Sequence, residues 1–260
     1  LPFFQPSNHL YLPNRSTNSR ISTNRCSHAP GGGWSPALAI KRGLSSFNSS
    51  QSMTDFVNSS SETLGVQTFG GTPPEPRPEY LAPLRAAVLE HRAHIGIATD
   101  GDADRIGVCD ETGRILPPLQ VFALLAVHLL EGKGWRGAVA RTFANTLLAE
   151  RIARRHGVPF HDLPIGFKHI ARLMLEEDVL IGGEESGGIG VKRYLPERDG
   201  ILIGLLLLEM LATGDRRLGR RVLAMQRVYG AYEYRRIDLS IPTESGKRAV
   251  ARLRESPPRR

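Results

Sequence analysis

The chain has 260 residues, 40% hydrophobic and 23% charged, with a formal net charge of +8, a length that allows about two domains able to bury a core without metal or disulfide staples. Two cysteines, Cys26 and Cys109, are too few for a disulfide scaffold and fit a reducing, cytoplasmic setting, and no apolar run reaches the roughly 18 to 20 residues of a membrane span. The charge divides into +3 over residues 1–66, +4 over 243–260 and +1 for everything between; a nucleic-acid binder carries its basic face on the folded part, so neither nucleic acid nor a membrane is an expected partner.

Residues 1–66 differ from the rest. No Asp or Glu precedes Asp55, and Ser, Asn and Thr crowd Ser16–Ser27 and Ser45–Ser61. With so little apolar periodicity this stretch is expected to remain disordered, or to be non-native sequence ahead of a partial domain. An acid-free, Arg- and Ser-containing start has the character of a transit peptide, but the chain opens on Leu1 and its first Met is Met53.

From Phe69 the pattern changes. Four prolines between Pro73 and Pro78 bar a helix, and Glu79–Arg92 then reads as an amphipathic helix with Leu81, Leu84, Val88 and Leu89 inward. His94–Thr99 and Arg105–Asp110 read as strands, the second closed by a turn at Glu111–Gly113, and Leu119–Glu131 as a buried helix. The unit repeats: strand Gly137–Thr142, helix Asn145–His156, strand Val158–His161, helix Phe167–Glu177 and strand Val179–Ile181. Asp199 stands as the N-cap of a helix Ile201–Leu211, and Arg216–Val228 forms another before a strand at Glu233–Leu239. Strands alternating with helices predict an α/β fold of two sandwich-like units with mixed sheets, 67–132 and 133–230, with 231–260 as a linker strand and basic tail.

Asp100-Gly101-Asp102-Ala103-Asp104-Arg105 directly follows a predicted strand. Three carboxylates at alternate positions repel one another unless a cation lies between them, and hard oxygen ligands suit Mg²⁺ or Ca²⁺. Counting Asp100 as position 1 also places Glu111 at position 12 of a calcium-binding EF-hand loop. That reading fails twice: position 6 should be Gly and is Arg105, and the flanks read as strands rather than helices. Arg105 makes sense beside a phosphate, because a guanidinium next to a divalent ion offers planar donors to phosphoryl oxygens.

A second loop, Gly182-Gly183-Glu184-Glu185-Ser186-Gly187-Gly188, follows Val179–Ile181. Its glycines allow close backbone approach, and two carboxylates with a hydroxyl suit the vicinal hydroxyls of a sugar. It lacks the Gly-Lys-Ser/Thr ending of a Walker phosphate loop. Gly166-Phe167-Lys168 opens the preceding helix, where an N-terminus and an ammonium can hold an anion. Lys192, Arg193 and Arg198 follow the glutamate loop without a clear assignment.

Together these motifs resemble the α-D-phosphohexomutases, the phosphoglucomutase/phosphomannomutase superfamily. Asp100–Arg105 looks like that family's Asp-Gly-Asp-Gly-Asp-Arg, with Ala103 where Gly is usual. Gly183–Gly187 is similar to its Gly-Glu-x-Ser-Gly loop, and Gly166–Lys168 to its Gly-aromatic-Lys segment; Phe69–Pro76 and Glu197–Ile201 also read like the family. The resemblance covers roughly residues 67–255, as part of domain two and domain three. It implies an isomerase that interconverts hexose 1-phosphate and hexose 6-phosphate through a phosphoserine. It also implies Mg²⁺ on Asp100, Asp102 and Asp104, phosphoryl support from Arg105, and sugar contacts from Glu184 and Ser186 with Lys168 beside them.

The departures are as informative. The family's nucleophile lies in a Thr-x-Ser-His-Asn-Pro loop of its first domain. The nearest string here is Cys26-Ser27-His28-Ala29-Pro30, with Arg25 in place of the Thr and 41 residues between Ser27 and Phe69. No counterpart of the fourth domain's Arg-Pro-Ser-Gly-Thr-Glu-Pro loop is found. The expectation is a mutase by descent, incomplete in this chain and lacking the phosphoserine, with a catalytically inactive module that binds a divalent metal and a sugar phosphate as the alternative.

Overall fold

Prolines mark where the first helices start, since a helix's first N–H groups have no internal partner to lose. The computed structural model describes residues 37–40, 73–234 and 241–256. Pro78–Tyr80 forms a 3₁₀ turn and Pro83 lies in the first turn of α1, Ala82–Glu90, which buries Leu84, Ala87 and Val88.

The first sheet runs in the order β1 (Ala37–Ile40), β2 (Ile95–Thr99), β3 (Ile106–Asp110), β4 (Ile115–Leu116). All three pairings are antiparallel, so this sheet is a meander rather than the mixed sheet expected. The reason is local: β3 turns straight into β4, because the buried Asp110 carboxylate accepts from the Thr112 amide at 2.9 Å, the Thr112 hydroxyl at 2.6 Å and the Arg114 amide at 3.0 Å.

β1 corrects the reading of residues 1–66 as outside the fold. Ala37 lies opposite Ala98 and Ile40 opposite Ile95. A four-residue apolar run vanishes when composition is averaged over a long Ser- and Asn-rich stretch. The rest of residues 1–66, Ser27 included, lies outside the described residues.

The second sheet is mixed, in the order β6 (Phe160–Leu163), β5 (Ala138–Thr142), β7 (Val179–Gly183), β8 (Ile189–Val191). β5 runs parallel to both β6 and β7, and β8 returns antiparallel as a hairpin. The parallel pairs need crossovers, supplied by α3 (Leu148–His156) and α4 (Phe167–Glu176).

Between the sheets lies α2, Pro118–Val127, continuing through a wide turn at His128–Gly132. Seven of its ten residues are buried, as a helix apolar all round requires. It contacts β3, α3 and α6 (Leu218–Tyr229), so the helix grouped by sequence with the first unit packs into the second as well. α5, Gly200–Ala212, contacts β2, β3 and β8. One core therefore joins the sheets: Ile97 and Ile106 from the first, Leu180 and Ile181 from the second, with Phe122 and Leu207 between. α1 covers the other face of the first sheet against Ala98 and Cys109, and α4 that of the second against Ala138 and Ala140.

At the C-terminal end Glu233 and Tyr234 form no strand, and residues 235–240 lie outside the described ones. Where a basic tail was expected, Thr243–Glu255 forms α7. None of its residues is buried, and Arg252 and Arg254 in its last turn complement the helix dipole. No helix among the described residues is long and apolar enough to cross a membrane.

Because one core serves both sheets, Phe122→Ala is expected to lower stability by about 3–5 kcal/mol in a single urea transition. Far-UV circular dichroism and tryptophan fluorescence should report the same midpoint; two separated transitions would show that the sheets fold independently.

Candidate functional site

The acidic loop joins β2 to β3, and its geometry gathers the three aspartates. Asp100 is buried, Asp104 half-buried and Asp102 exposed, and one carboxylate oxygen from each lies within 4.8 Å of the others. Arg105 fixes the loop from its far end: its amide donates to Asp100 Oδ1 at 3.1 Å and its Nε to Asp100 Oδ2 at 2.5 Å. Burial alone would raise the Asp100 carboxyl, but these bonds outweigh it and hold the group below its usual range. Asp104 goes the other way. Burial, then a hydrogen bond with Asp100, push it up to about 6, against the pull of Arg198. Such a cluster gains from a cation, and hard oxygen donors at this spacing suit a divalent one.

Glu111, the twelfth position of the EF-hand alternative, points elsewhere. Its Oε2 accepts from the Gly219 amide at 3.3 Å, near the start of α6, and β2 and β3 flank the loop where helices would be needed.

The glutamate loop is the turn of the β7–β8 hairpin, closed by the Glu184 amide donating to Gly188 O at 2.9 Å. Gly187 has φ +96°, and a Cβ there would come within 3.0 Å of Ile106 O; only glycine combines that backbone with so close an approach. The approach brings the two loops together. The Ile106 amide donates to Gly187 O at 3.3 Å, and Arg105 and Gly188 form an antiparallel bridge. Glu184, 7% exposed, accepts from the Gly166 amide at 3.1 Å through Oε1 and from Arg198 Nη1 at 3.3 Å through Oε2. Burial raises its carboxyl, and Arg198 opposes the shift. Glu185 accepts from the Thr142 hydroxyl at 3.2 Å. Ser186 is half-buried in the turn, and Lys168 is exposed in the first turn of α4.

Arg198 is the residue that the sequence left unassigned. Its Nη2 stands 2.6 Å from Asp104 Oδ2 while its Nη1 reaches Glu184, so one guanidinium spans both loops. Phe167 lies beneath it, the ring centroid 5.6 Å from Cζ. Its place follows from the next two residues. Asp199 caps α5, accepting from the Leu202 amide at 2.8 Å, and the Gly200 amide donates to Ala103 O at 2.8 Å. A Cβ on Gly200 would lie 2.7 Å from Arg105 O, so the glycine lets the helix start against the acidic loop. The legible signal was that Asp-Gly pair, which pins whatever precedes it to the loop.

The structure thus brings Asp100, Asp102, Asp104, Arg105, Glu184 and Arg198 to one rim, with Ser186 and Lys168 on the adjoining turns. Family models for phosphoglucomutase/phosphomannomutase alpha/beta/alpha domains match residues 27–113 as domain II and 117–229 as domain III. The chain belongs to the phosphoglucomutase/phosphomannomutase family. A phosphoglucosamine mutase of Streptomyces avermitilis is 36% identical over 150 residues, 57% of this chain and 33% of that protein. A phosphoglucomutase/phosphomannomutase of Thermococcus kodakarensis is 32% identical over 161 residues, 62% and 35% of the two chains. The crystal structure of a putative phosphomannomutase from Thermus thermophilus superposes with a TM-score of 0.59 at 41% identity, covering 62% of this chain and 37% of its own. The chain therefore spans about a third of the length of the curated relatives it matches.

One departure from the phosphohexomutase pattern has a structural consequence. Ala103 stands where that pattern has Gly, and its φ of +61° is left-handed, a region that disfavours residues with a Cβ by about 1–2 kcal/mol. Ala103→Gly is expected to stabilise the chain by up to about 1 kcal/mol, part of the relief being offset by glycine's greater freedom when unfolded. A chemical-denaturation curve measures this; a loss of stability would exclude the left-handed conformation at this position.

Proposed function

We propose that this chain carries the metal and sugar-recognition part of a phosphohexomutase acting on hexose 1-phosphate and hexose 6-phosphate. The reading is carried by one observation: the aspartate loop and the glutamate loop are hydrogen-bonded to each other at Ile106 and Gly187. Charge stabilisation and sugar binding then share one space, as phosphoryl transfer to a sugar hydroxyl requires.

In this reading Asp100, Asp102 and Asp104 hold Mg²⁺, whose charge when bound offsets the negative charge on the transferring phosphoryl oxygens. Arg105, with Nε committed to Asp100, turns its remaining N–H groups to the same oxygens. Glu184 accepts from a sugar hydroxyl and Ser186 donates to or accepts from its neighbour, which fixes the ring. Lys168, exposed at the start of α4, meets the phosphate at the other end of the substrate. The covalent step belongs to a phosphoserine loop of the kind described above, not to any of these residues. The proposal covers glucose and mannose phosphates alike, and the glucosamine mutases among the relatives extend the class to an amino sugar.

Melting curves of the 260-residue chain test the proposal. Mg²⁺ at a hundred times its dissociation constant should add about 2.7 kcal/mol of stability, and Asp102→Asn should remove that gain. Glucose 1-phosphate should add a further rise that Glu184→Gln abolishes while the Mg²⁺ effect persists. Turnover to glucose 6-phosphate, with Mg²⁺ and glucose 1,6-bisphosphate, separates a working mutase from a binding module. Melting curves unmoved by either ligand would exclude both.

A further inference from the structure

Arg198 bonds to a carboxylate of each loop, but unequally. Nη2 is 2.6 Å from Asp104 Oδ2, and Nη1 is 3.3 Å from Glu184 Oε2. Its Nε is buried without a hydrogen bond among the described residues, 3.6 Å from Glu197 Oε1. The guanidinium therefore leans toward the aspartates at the expense of its other contacts. It supplies Asp104 with the positive charge that three crowded acids need, and Asp104 is also one of the three oxygens that a divalent ion would share. A doubly charged ion on that carboxylate repels a guanidinium a few ångströms away, and does so strongly because the groups are partly buried.

We propose that Arg198 is a positioning residue that exchanges partners: it holds Asp104 when no ion is present, and an arriving ion displaces it toward Glu184 and the phosphate of a bound sugar phosphate. The ion and the sugar phosphate then bind cooperatively, because the first frees a cation for the second. Linkage requires each to tighten the other by the same factor. The inference rests on the metal and sugar assignment above and adds to it the route of communication. A simple brace between the loops makes the opposite forecast, since its removal loosens the aspartate cluster and weakens ion binding. Displacement forecasts tighter ion binding, because a competing cation has been removed.

Isothermal titration calorimetry of the full chain distinguishes the two, with MgCl₂ and glucose 1-phosphate each titrated alone and in the presence of the other. In the unmodified chain each ligand should tighten the other at least about three-fold, by the same factor in both orders. Arg198→Met should bind Mg²⁺ alone several-fold more tightly and lose most of the coupling. Arg198→Gln, polar but uncharged, should behave like Arg198→Met, and decides the matter if the methionine variant does not fold. Arg198→Lys, which restores a displaceable cation, should recover the coupling. Mg²⁺ binding that weakens or stays unchanged in both neutral variants overturns the proposal but leaves the metal site standing, as does coupling that persists in them. An unmodified chain that binds Mg²⁺ but not glucose 1-phosphate also overturns it. An unmodified chain that binds no Mg²⁺ overturns the metal assignment, and the exchange with it.

Discussion

Everything at the candidate site depends on a short stretch of backbone where one sheet meets the other. Arg105 and Ile106, at the start of β3, pair with Gly187 and Gly188 in the β7–β8 turn. Without that pairing the aspartates and the glutamate would belong to separate surfaces. The pairing is possible because Gly187 carries no Cβ to strike Ile106 O and Gly200 none to strike Arg105 O. The shared core holds the two sheets at the distance this contact needs, with α2 and α5 packed between them.

Charge is balanced around that contact rather than neutralised pair by pair. Asp100, Asp104 and Glu184 are drawn inward, where desolvation opposes ionisation. Arg105 and Arg198 answer them from the two sides of the loop contact. Arg105 holds Asp100 through backbone and side chain, whereas Asp104, pushed up to about 6 by burial and its hydrogen bond with Asp100, is paired with Arg198.

Much of this was legible in the sequence, and what was not has identifiable causes. The alternating acids, the glycine-flanked glutamates and the Asp199 cap were readable because each is a local pattern with a local physical meaning. The α/β repeat was readable from periodicity, with element ends displaced by a few residues. β1 was not, because four apolar residues gain their strand only by pairing with β2, far along the chain. α7 was not, because a helix that buries none of its residues leaves no clear inward stripe. β8 is only three residues long and exists by pairing back on β7. Arg198 was ambiguous because one charged residue in a loop is usually solvated; only the folded chain sets its guanidinium between Asp104 and Glu184.

The helix ends complete the electrostatic picture. α5 starts against the acidic loop, where Asp199 accepts from its Leu202 amide and Ala103 O from its Gly200 amide, and the guanidinium groups of Arg105 and Arg198 pair with the aspartates. α4 is arranged differently. Its N-cap, Gly166, supplies no capping side chain, and the Gly166 amide donates to Glu184 instead. A carboxylate at a helix N-terminus is stabilised as an anion by the aligned peptide dipoles, which works against the burial that raises the Glu184 carboxyl. Both of its oxygens are engaged as acceptors, one by the Gly166 amide and the other by Arg198. The placement of α4 is therefore part of the site's chemistry as well as of the crossover that builds the second sheet.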